Sequence, residues 1–111
     1  MREMTYVEAL NEAFMEEMAR DDTVVVYGED AEVSFTFQAT KGLLEKFGPE
    51  RVRDTPICEN LLVGAGVGAA IGGLRPVVDM TFCDFLPLGA CRRKNPLRLV
   101  TSYAHGHRGA V

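Results

Sequence analysis

The chain has 111 residues, enough for one small domain, and its 47% hydrophobic and 25% charged residues are ordinary for a soluble globular protein. Sixteen acidic and twelve basic residues give a net charge of −4, which argues against a nucleic-acid-binding face. The three cysteines and two histidines have no spacing typical of a metal site or of paired disulfides. We therefore expect no bound metal and a reducing compartment.

The ends and the apolar stretches of the sequence carry no sign of membrane targeting. The first residues include acidic side chains and no apolar core of signal-peptide length. The longest low-polarity run, Leu61 to Leu74, is short and too rich in glycine to span a bilayer. The sequence therefore predicts a cytoplasmic protein, or one of the mitochondrial matrix in a eukaryote, with neither membrane nor nucleic acid among its partners.

The first half of the chain predicts a helix, a strand and a second helix. Thr5 and Glu8 have the spacing of a capping box, and apolar residues then recur every three or four positions as far as Arg20. The β-branched run from Val24 to Tyr27 is typical of a strand buried on both faces of a parallel sheet. Residues 31–39 show no period and predict a loop, and 41–47 predict a short helix that ends at Gly48.

The second half continues the alternation. Residues 51–53 predict a brief strand, 59–72 a helix rich in glycine and alanine, 75–76 a turn and 77–80 a second buried strand. This order predicts an α/β fold in which helices cover both faces of a parallel sheet in three layers. The pattern stops at Ala90, so we assign residues 1–90 to this domain, incomplete at its C-terminal end. Residues 91–111 are an atypical tail, as a truncated or frame-shifted product would have.

Glu59 is the candidate chemical residue. It follows the motif Asp54-Thr55-Pro56-Ile57 and begins the predicted Gly/Ala helix, where α/β folds form binding crevices. A glutamate in a first helical turn also stabilises the positive end of the helix dipole. From these residues alone, a helix cap and a functional carboxylate both remain open.

Several motifs, in one order over about residues 4–90, resemble the beta subunits of pyruvate, branched-chain 2-oxo acid and acetoin dehydrogenases. They are Thr5 to Asn11, Val26 to Asp30, Lys41 to Leu44 with Phe47-Gly48, Asp54 to Ile57 with Glu59, Gly64 to Ala70 with Gly73 to Pro76, and Phe82 with Asp84-Phe85. The N-terminal half of those subunits is the pyrimidine-binding domain of the transketolase-like fold. The resemblance therefore implies this fold type for the predicted sheet.

The resemblance also implies a cofactor, thiamine diphosphate, and roles for three residues. Glu59 matches the catalytic glutamate that bonds a ring nitrogen of the aminopyrimidine and exchanges a proton with it. Phe85 matches an aromatic residue that packs on this ring, and Leu61 lies near the family's apolar cofactor contacts, as does Leu62. The turn at Glu29 matches the family's G-E-[DE] pattern, for which we expect a structural or interfacial role.

The same resemblance implies partners and an overall reaction. The family's alpha subunit holds the diphosphate and its Mg²⁺, and the two subunits form an alpha2-beta2 heterotetramer that passes an acyl group to a lipoyl-bearing acyltransferase. The implied activity is oxidative decarboxylation of a 2-oxo acid, pyruvate or a branched-chain one. The Gly/Ala helix is expected to face a partner subunit, with Gly66 in the contact.

Two other readings of the sequence stay open. Residues 91–95 differ from the family pattern, so the chain is alternatively a non-catalytic degenerate fragment. The glycines from Gly64 to Gly68, followed by Ala69, also fit the G-x-G-x-x-[GA] pattern of a dinucleotide-binding Rossmann-like module, with Asp79 as the ribose-binding acid. In that pattern the acid lies about 20 residues on, whereas Asp79 follows Gly64 more closely.

Overall fold

A computed structural model describes residues 3–34 and 37–90, so the predictions for 91–111 lie outside the described residues. Four helices, three strands and a short 3-10 turn alternate along them. In chain order they are α1 (Tyr6–Arg20), β1 (Val24–Gly28), α2 (Leu43–Phe47), β2 (Val52–Asp54), α3 (Glu59–Ile71), β3 (Arg75–Asp79), a 3-10 turn (Cys83–Phe85) and α4 (Leu86–Ala90). No helix in these ranges is both long and apolar enough to cross a membrane.

The start of α1 has the cap that the sequence predicts. The Thr5 hydroxyl accepts a hydrogen bond from the backbone N–H of Glu8 at 3.2 Å, and the Glu8 carboxylate accepts one from the Thr5 N–H at 2.7 Å. This reciprocal pair satisfies two backbone donors that a helix start leaves free. The predicted helix is therefore confirmed, with Thr5 as its cap rather than its first residue.

The three strands form one parallel sheet in the order β2-β1-β3. Val26 of β1 is paired with Val52 on one side and Val77 on the other. The parallel sheet and the adjacency of β1 and β3 confirm the fold predicted from the alternation of elements. All three strands end at the same edge of the sheet, where Gly28 is paired with Asp54 and Asp79.

One face of the sheet packs against α1 and α2 and carries the core. Its buried hydrophobic residues come from both helices, β1, β2 and the loop after β1: Met18, Val24, Val26, Ala31, Leu43 and Val52, none of them more than 5% exposed. Alternate residues of β1 point into this core, because successive side chains of a strand face opposite sides of the sheet. The α1 side is therefore the well-packed half of the domain.

The other face of the sheet packs against α3, which completes the three layers. Here the side chains are small, and a groove of about 400 Å³ runs between α3 and the strands β1 and β2. Val25 and Tyr27 on this face are half-buried, as is every residue of β3 after Arg75. The strands are therefore less buried on the α3 side than the sequence predicts. Gly66 and Ala69 are too small to cover this face of the sheet.

Several other boundaries differ from the prediction. The helix α2 begins at Leu43 instead of 41, β2 is displaced by one residue, α3 ends at Ile71, and Arg75 and Pro76 belong to β3 instead of a turn. Proline cannot donate a ladder hydrogen bond, and it is accepted here because β3 is an edge strand of the described sheet. The Arg75 N–H continues the ladder by donating to the Thr23 carbonyl at 2.9 Å.

Arg51, immediately before β2, ties three elements together. Its guanidinium donates to the carbonyl oxygens of Met18 at 2.9 Å, Asp21 at 2.8 Å and Val24 at 2.9 Å. The first two carbonyls lie at the C-terminal end of α1 and have no partner further along the helix. Arg51 therefore caps α1 and joins it to β1 and β2.

Candidate functional site

Three carboxylates meet at the carboxyl edge of the sheet. Glu29 directly follows β1, Asp79 ends β3 and Glu59 is the first residue of α3. Gly28 allows the strand ends to approach, because a Cβ there would overlap the carbonyl oxygen of Asp79. Thr55, after β2, holds the same strand end by donating from its N–H and its hydroxyl to the Gly28 carbonyl at 2.7 and 3.0 Å. Binding crevices of α/β folds form at this edge.

Glu29 has the most unusual electrostatic environment of the three. Its Oε1 atom is sealed from solvent and has no hydrogen-bond partner among the described residues. Burial, followed by the charges of Glu59 and Asp79, raises the pKa of the Glu29 carboxyl group above its ordinary value. Both causes disfavour the charged form, so this carboxyl group keeps its proton to higher pH than an exposed glutamate.

Glu59 is half-buried at the start of α3. Within the described part of the chain, no hydrogen bond or ion pair occupies its carboxyl group. The N-cap residue, Cys58, makes no side-chain cap hydrogen bond to the backbone N–H groups of the helix start. Glu59 therefore lies at the strand ends with its carboxyl group available.

An aromatic row borders the same edge. The rings of Phe37 and Phe82 meet edge to face at 5.3 Å between centroids, and those of Phe82 and Phe85 at 5.7 Å. Phe37 and Phe82 are about half exposed, at 48% and 46%, whereas Phe85 is more covered. Phe85 ends the 3-10 turn that follows β3, and its packing on a cofactor ring stays a prediction.

Leu61 and Leu62 have different surroundings. Leu61 is 65% exposed and lines the groove between α3 and the sheet, whereas Leu62 is only 2% exposed. A contact between Leu61 and a cofactor therefore stays a prediction about an exposed side chain. Leu62 is part of the packing between helix and sheet.

A cavity of about 320 Å³ lies on the α1 side of the strand ends. Ser34, Gln38 and Thr81 line it, and all three have positive φ, between 50° and 60°. Strained backbone of this kind persists only where surrounding structure imposes it, and it is concentrated near functional sites. The carboxylate of Asp79 also lines this cavity and accepts a hydrogen bond from the Thr81 N–H at 2.8 Å.

The arrangement suits proton transfer to a heteroaromatic ring. A flat ring with a basic nitrogen and an amino group requires a carboxyl group that gives and takes a proton, neutral acceptors nearby and an aromatic wall. Glu59 provides such a carboxyl group and Phe85 an aromatic wall at one edge, and the raised pKa of the Glu29 carboxyl group favours its uncharged form beside them. In the described ranges no group of three or more His, Cys, Asp or Glu side chains is arranged to hold a metal ion.

The Rossmann-like interpretation does not fit the fold. Gly64, Gly66 and Ala69 lie inside α3 and not at a turn between a strand and a helix. A dinucleotide-binding glycine motif needs that turn, because the phosphates bind at the helix start that follows it. Gly66 is buried against Tyr27 and Val78, so close packing of α3 on the sheet explains the glycine at this position.

Sequence reasoning missed the proximity of Glu29 to Glu59. We expected a structural or interfacial role for Glu29, and the structure brings it beside Glu59 and Asp79. The signal was present, since all three residues stand at predicted strand ends or at a helix start. The sequence pattern suggests only a ribose-binding role for Asp79.

Comparison with known proteins identifies the family. The chain is 49% identical over 87 residues to the 2-oxoisovalerate dehydrogenase subunit beta of Bacillus subtilis, which covers 78% of this chain and 27% of that protein. It is 54% identical over 80 residues to the pyruvate dehydrogenase E1 component subunit beta of Mycoplasma genitalium, covering 71% of the chain and 24% of the relative.

A plant relative gives the same result. The identity is 55% over 83 residues to the mitochondrial pyruvate dehydrogenase E1 component subunit beta-1 of Arabidopsis thaliana, covering 73% of the chain and 23% of the relative. The chain thus spans about a quarter of the length of the curated relatives it matches. Residues 2–106 match the family described as "Transketolase, pyrimidine binding domain". The chain belongs to the transketolase pyrimidine-binding domain family.

Proposed function

We propose that this chain provides the pyrimidine-binding site of a thiamine-diphosphate-dependent 2-oxo acid dehydrogenase, with Glu59 as the catalytic residue. The observation that supports this most directly is the position of Glu59 at the carboxyl edge of the sheet, with a free carboxyl group beside Glu29. The names of the relatives, which are beta subunits of pyruvate and 2-oxoisovalerate dehydrogenases, support the same reaction class.

In this proposal, Glu59 bonds a ring nitrogen of the aminopyrimidine and exchanges a proton with it. Phe85 packs on the ring, and Leu61 contributes an apolar contact. Burial and the neighbouring carboxylates raise the pKa of the Glu29 carboxyl group, which disfavours a second negative charge beside Glu59. The cofactor, when bound, supplies the carbon chemistry of decarboxylation, and the protein supplies orientation and proton balance.

The partners of this site are part of the proposal. An alpha subunit would hold the diphosphate and its Mg²⁺, within an alpha2-beta2 heterotetramer that delivers the acyl group to a lipoyl-bearing acyltransferase. Pyruvate and branched-chain 2-oxo acids are both candidate substrates, and the bacterial cytoplasm or the mitochondrial matrix is the candidate compartment.

The test uses a chimera in which residues 4–90 of this chain replace the matching segment of the Bacillus subtilis beta subunit, co-expressed with its alpha subunit. The Glu59→Gln substitution keeps the size of the side chain but removes its exchangeable proton. General acid–base catalysis contributes about 10²–10⁴-fold in rate, so exchange of the C2 proton of bound thiamine diphosphate with deuterium should slow by that factor. Glu59→Asp should be intermediate, because its shorter side chain holds the proton further away.

The matched control is Glu45→Gln, an exposed glutamate in α2 on the opposite face of the sheet. It should leave both exchange and cofactor affinity unchanged. Exchange at the parent rate in the Glu59→Gln enzyme would make Glu59 a helix cap and end the proposal. Co-purification of the 111-residue chain itself with the alpha subunit distinguishes a working subunit from a degenerate fragment, which should aggregate.

We also infer that the outer face of α3 packs on a partner subunit. Gly64 and Gly68 have open space where a side chain would lie, and Leu61 and Ile71 flank them, 65% and 56% exposed. Small residues on a helix surface let another helix approach closely. Gly66 lies against the sheet and not on this face, so Gly66→Leu is the wrong substitution to test the contact with the partner subunit. Gly68→Leu should instead weaken co-purification with the alpha subunit and leave folding intact.

A further inference from the structure

Tyr27 connects the sheet to the start of α3. Its side chain points from β1 towards α3, on the face of the sheet opposite the main core. The Tyr27 hydroxyl donates a hydrogen bond to the carbonyl oxygen of Leu62 at 3.0 Å. Leu62 lies three residues after Glu59, within the first turn of α3, and is 2% exposed. The bond therefore acts on the turn of the helix that presents Glu59.

That turn has little other support of its own. The N-cap residue, Cys58, contributes no side-chain hydrogen bond to the free N–H groups of α3, and its φ of −166° is extended. A cap of the Ser, Thr, Asp or Asn type usually fixes a helix start. Contacts from the sheet must do this for α3, and the Tyr27 hydroxyl supplies one of them.

Gly66 shows how closely α3 sits on this tyrosine. A Cβ at Gly66 would lie 2.9 Å from the Tyr27 hydroxyl oxygen and 3.1 Å from a methyl group of Val78. The first of these distances is shorter than van der Waals contact permits. The Tyr27 hydroxyl therefore fits into the space that a side chain at Gly66 would fill. Together the two residues set the distance between α3 and the sheet.

We propose that Tyr27 is a positioning residue for Glu59: its bond to the Leu62 carbonyl holds the first turn of α3 so that the Glu59 carboxyl group lies at the strand ends. This inference rests on the proposed function of Glu59. Burial raises the pKa of the Tyr27 hydroxyl, so the group stays a donor throughout the neutral range. A tyrosine that served only to fill space could be replaced by phenylalanine without effect on Glu59.

The first measurement needs no cofactor. Amide hydrogen exchange in the 111-residue chain reports local opening of a helix turn. The Leu61 and Leu62 N–H groups bond the Cys58 carbonyl at 2.9 and 3.0 Å and are the reporters. Tyr27→Phe should speed their exchange relative to the rest of α3. The control Val25→Ala changes the same face of β1 two residues earlier, and it should lower overall stability without this selective effect.

The second measurement uses the chimeric enzyme. Misplacement by about 1 Å from a distant substitution can reduce a rate by about a hundredfold, so Tyr27→Phe should slow C2 proton exchange by about tenfold or more. Thiamine diphosphate affinity should change much less, because the Tyr27 hydroxyl bonds the Leu62 carbonyl and not a group of the proposed cofactor site. Gly66→Ala should also slow C2 proton exchange, because the new methyl group would meet the Tyr27 hydroxyl. In the Tyr27→Phe enzyme that hydroxyl is gone, so the same substitution should slow exchange by a smaller factor.

The outcomes separate this inference from the proposed function. If Glu59→Gln abolishes C2 exchange while Tyr27→Phe leaves both the reporter amides and C2 exchange at parent rates, the positioning role is refuted and the catalytic role of Glu59 stands. Equal effects of Gly66→Ala in the two backgrounds would also overturn it. If Glu59→Gln has no effect, the proposed function itself fails.

Discussion

Replacing Arg51 by methionine should destabilise this domain more than any other single change to a surface arginine. Methionine keeps most of the apolar length of the side chain but removes every donor. Three carbonyl oxygens, of Met18, Asp21 and Val24, then lose a charged partner. Since these carbonyls lie on α1, the loop after it and β1, one substitution loosens three elements at once.

The size of the effect follows from these contacts. Hydrogen bonds to charged groups contribute about 1.5–3 kcal/mol each, but the Arg51 side chain is 17% exposed, so water can replace part of this. Its ion pair with Asp22 adds little, because that carboxylate is fully exposed, at 101%. We expect a loss of about 2–4 kcal/mol for Arg51→Met and about half of that for Arg51→Lys, whose single ammonium cannot span three acceptors.

Urea denaturation of the full chain, followed by far-UV circular dichroism, measures this loss as a fall in midpoint at constant slope. Arg53 provides the matched control, because it is an exposed arginine two residues later, in β2, and its contacts to the Pro49 carbonyl are long, at 3.4 Å. Arg53→Met should change stability by less than about 0.5 kcal/mol. Equal effects of the two substitutions would refute the capping role of Arg51.

Four further substitutions test other parts of the structure. Gly28→Ala should destabilise by about 3 kcal/mol or more, because the new methyl group overlaps the Asp79 carbonyl. Gly64→Ala, in open space on a helix, should instead stabilise by up to about 1 kcal/mol, and thermal unfolding compares the two. Hydrogen bonds from Thr23 and Arg75 lower the pKa of Asp21, so the stability it contributes is present above pH 3.8, its ordinary pKa, and is lost as the pH falls below it. Asp21→Asn should be less stable at neutral pH and should lack this loss in acid titrations. The pKa of Glu29 is raised instead, so the parent protein should lose stability as the pH rises above 4.5, the ordinary pKa of a glutamate. Glu29→Gln should remove that loss. If stability depended on pH in the same way in both proteins, the burial of this carboxyl group would be contradicted.

Much of the fold was predictable because its signals are local. The capping box at Thr5 and Glu8 and the stop at Gly48 act over three or four residues, and both are present in the structure. The β-branched run that begins at Val24 likewise predicted its strand. The candidate Glu59 was found in the same way, from its motif and its place at a helix start. Interactions of this range can be read from neighbouring letters of the sequence.

The sequence alone did not determine the contacts between residues that are far apart in the chain. Glu29 and Glu59 are 30 positions apart, and only the parallel packing of β1 and β3 with α3 above them brings their carboxyl groups together and buries Oε1 of Glu29. The choice of Gly66, not Gly64, as the glycine against the sheet depends on how α3 is rotated about its axis. Strand register, helix rotation and desolvation are properties of the packed domain, because each arises only when distant segments exclude water from one another.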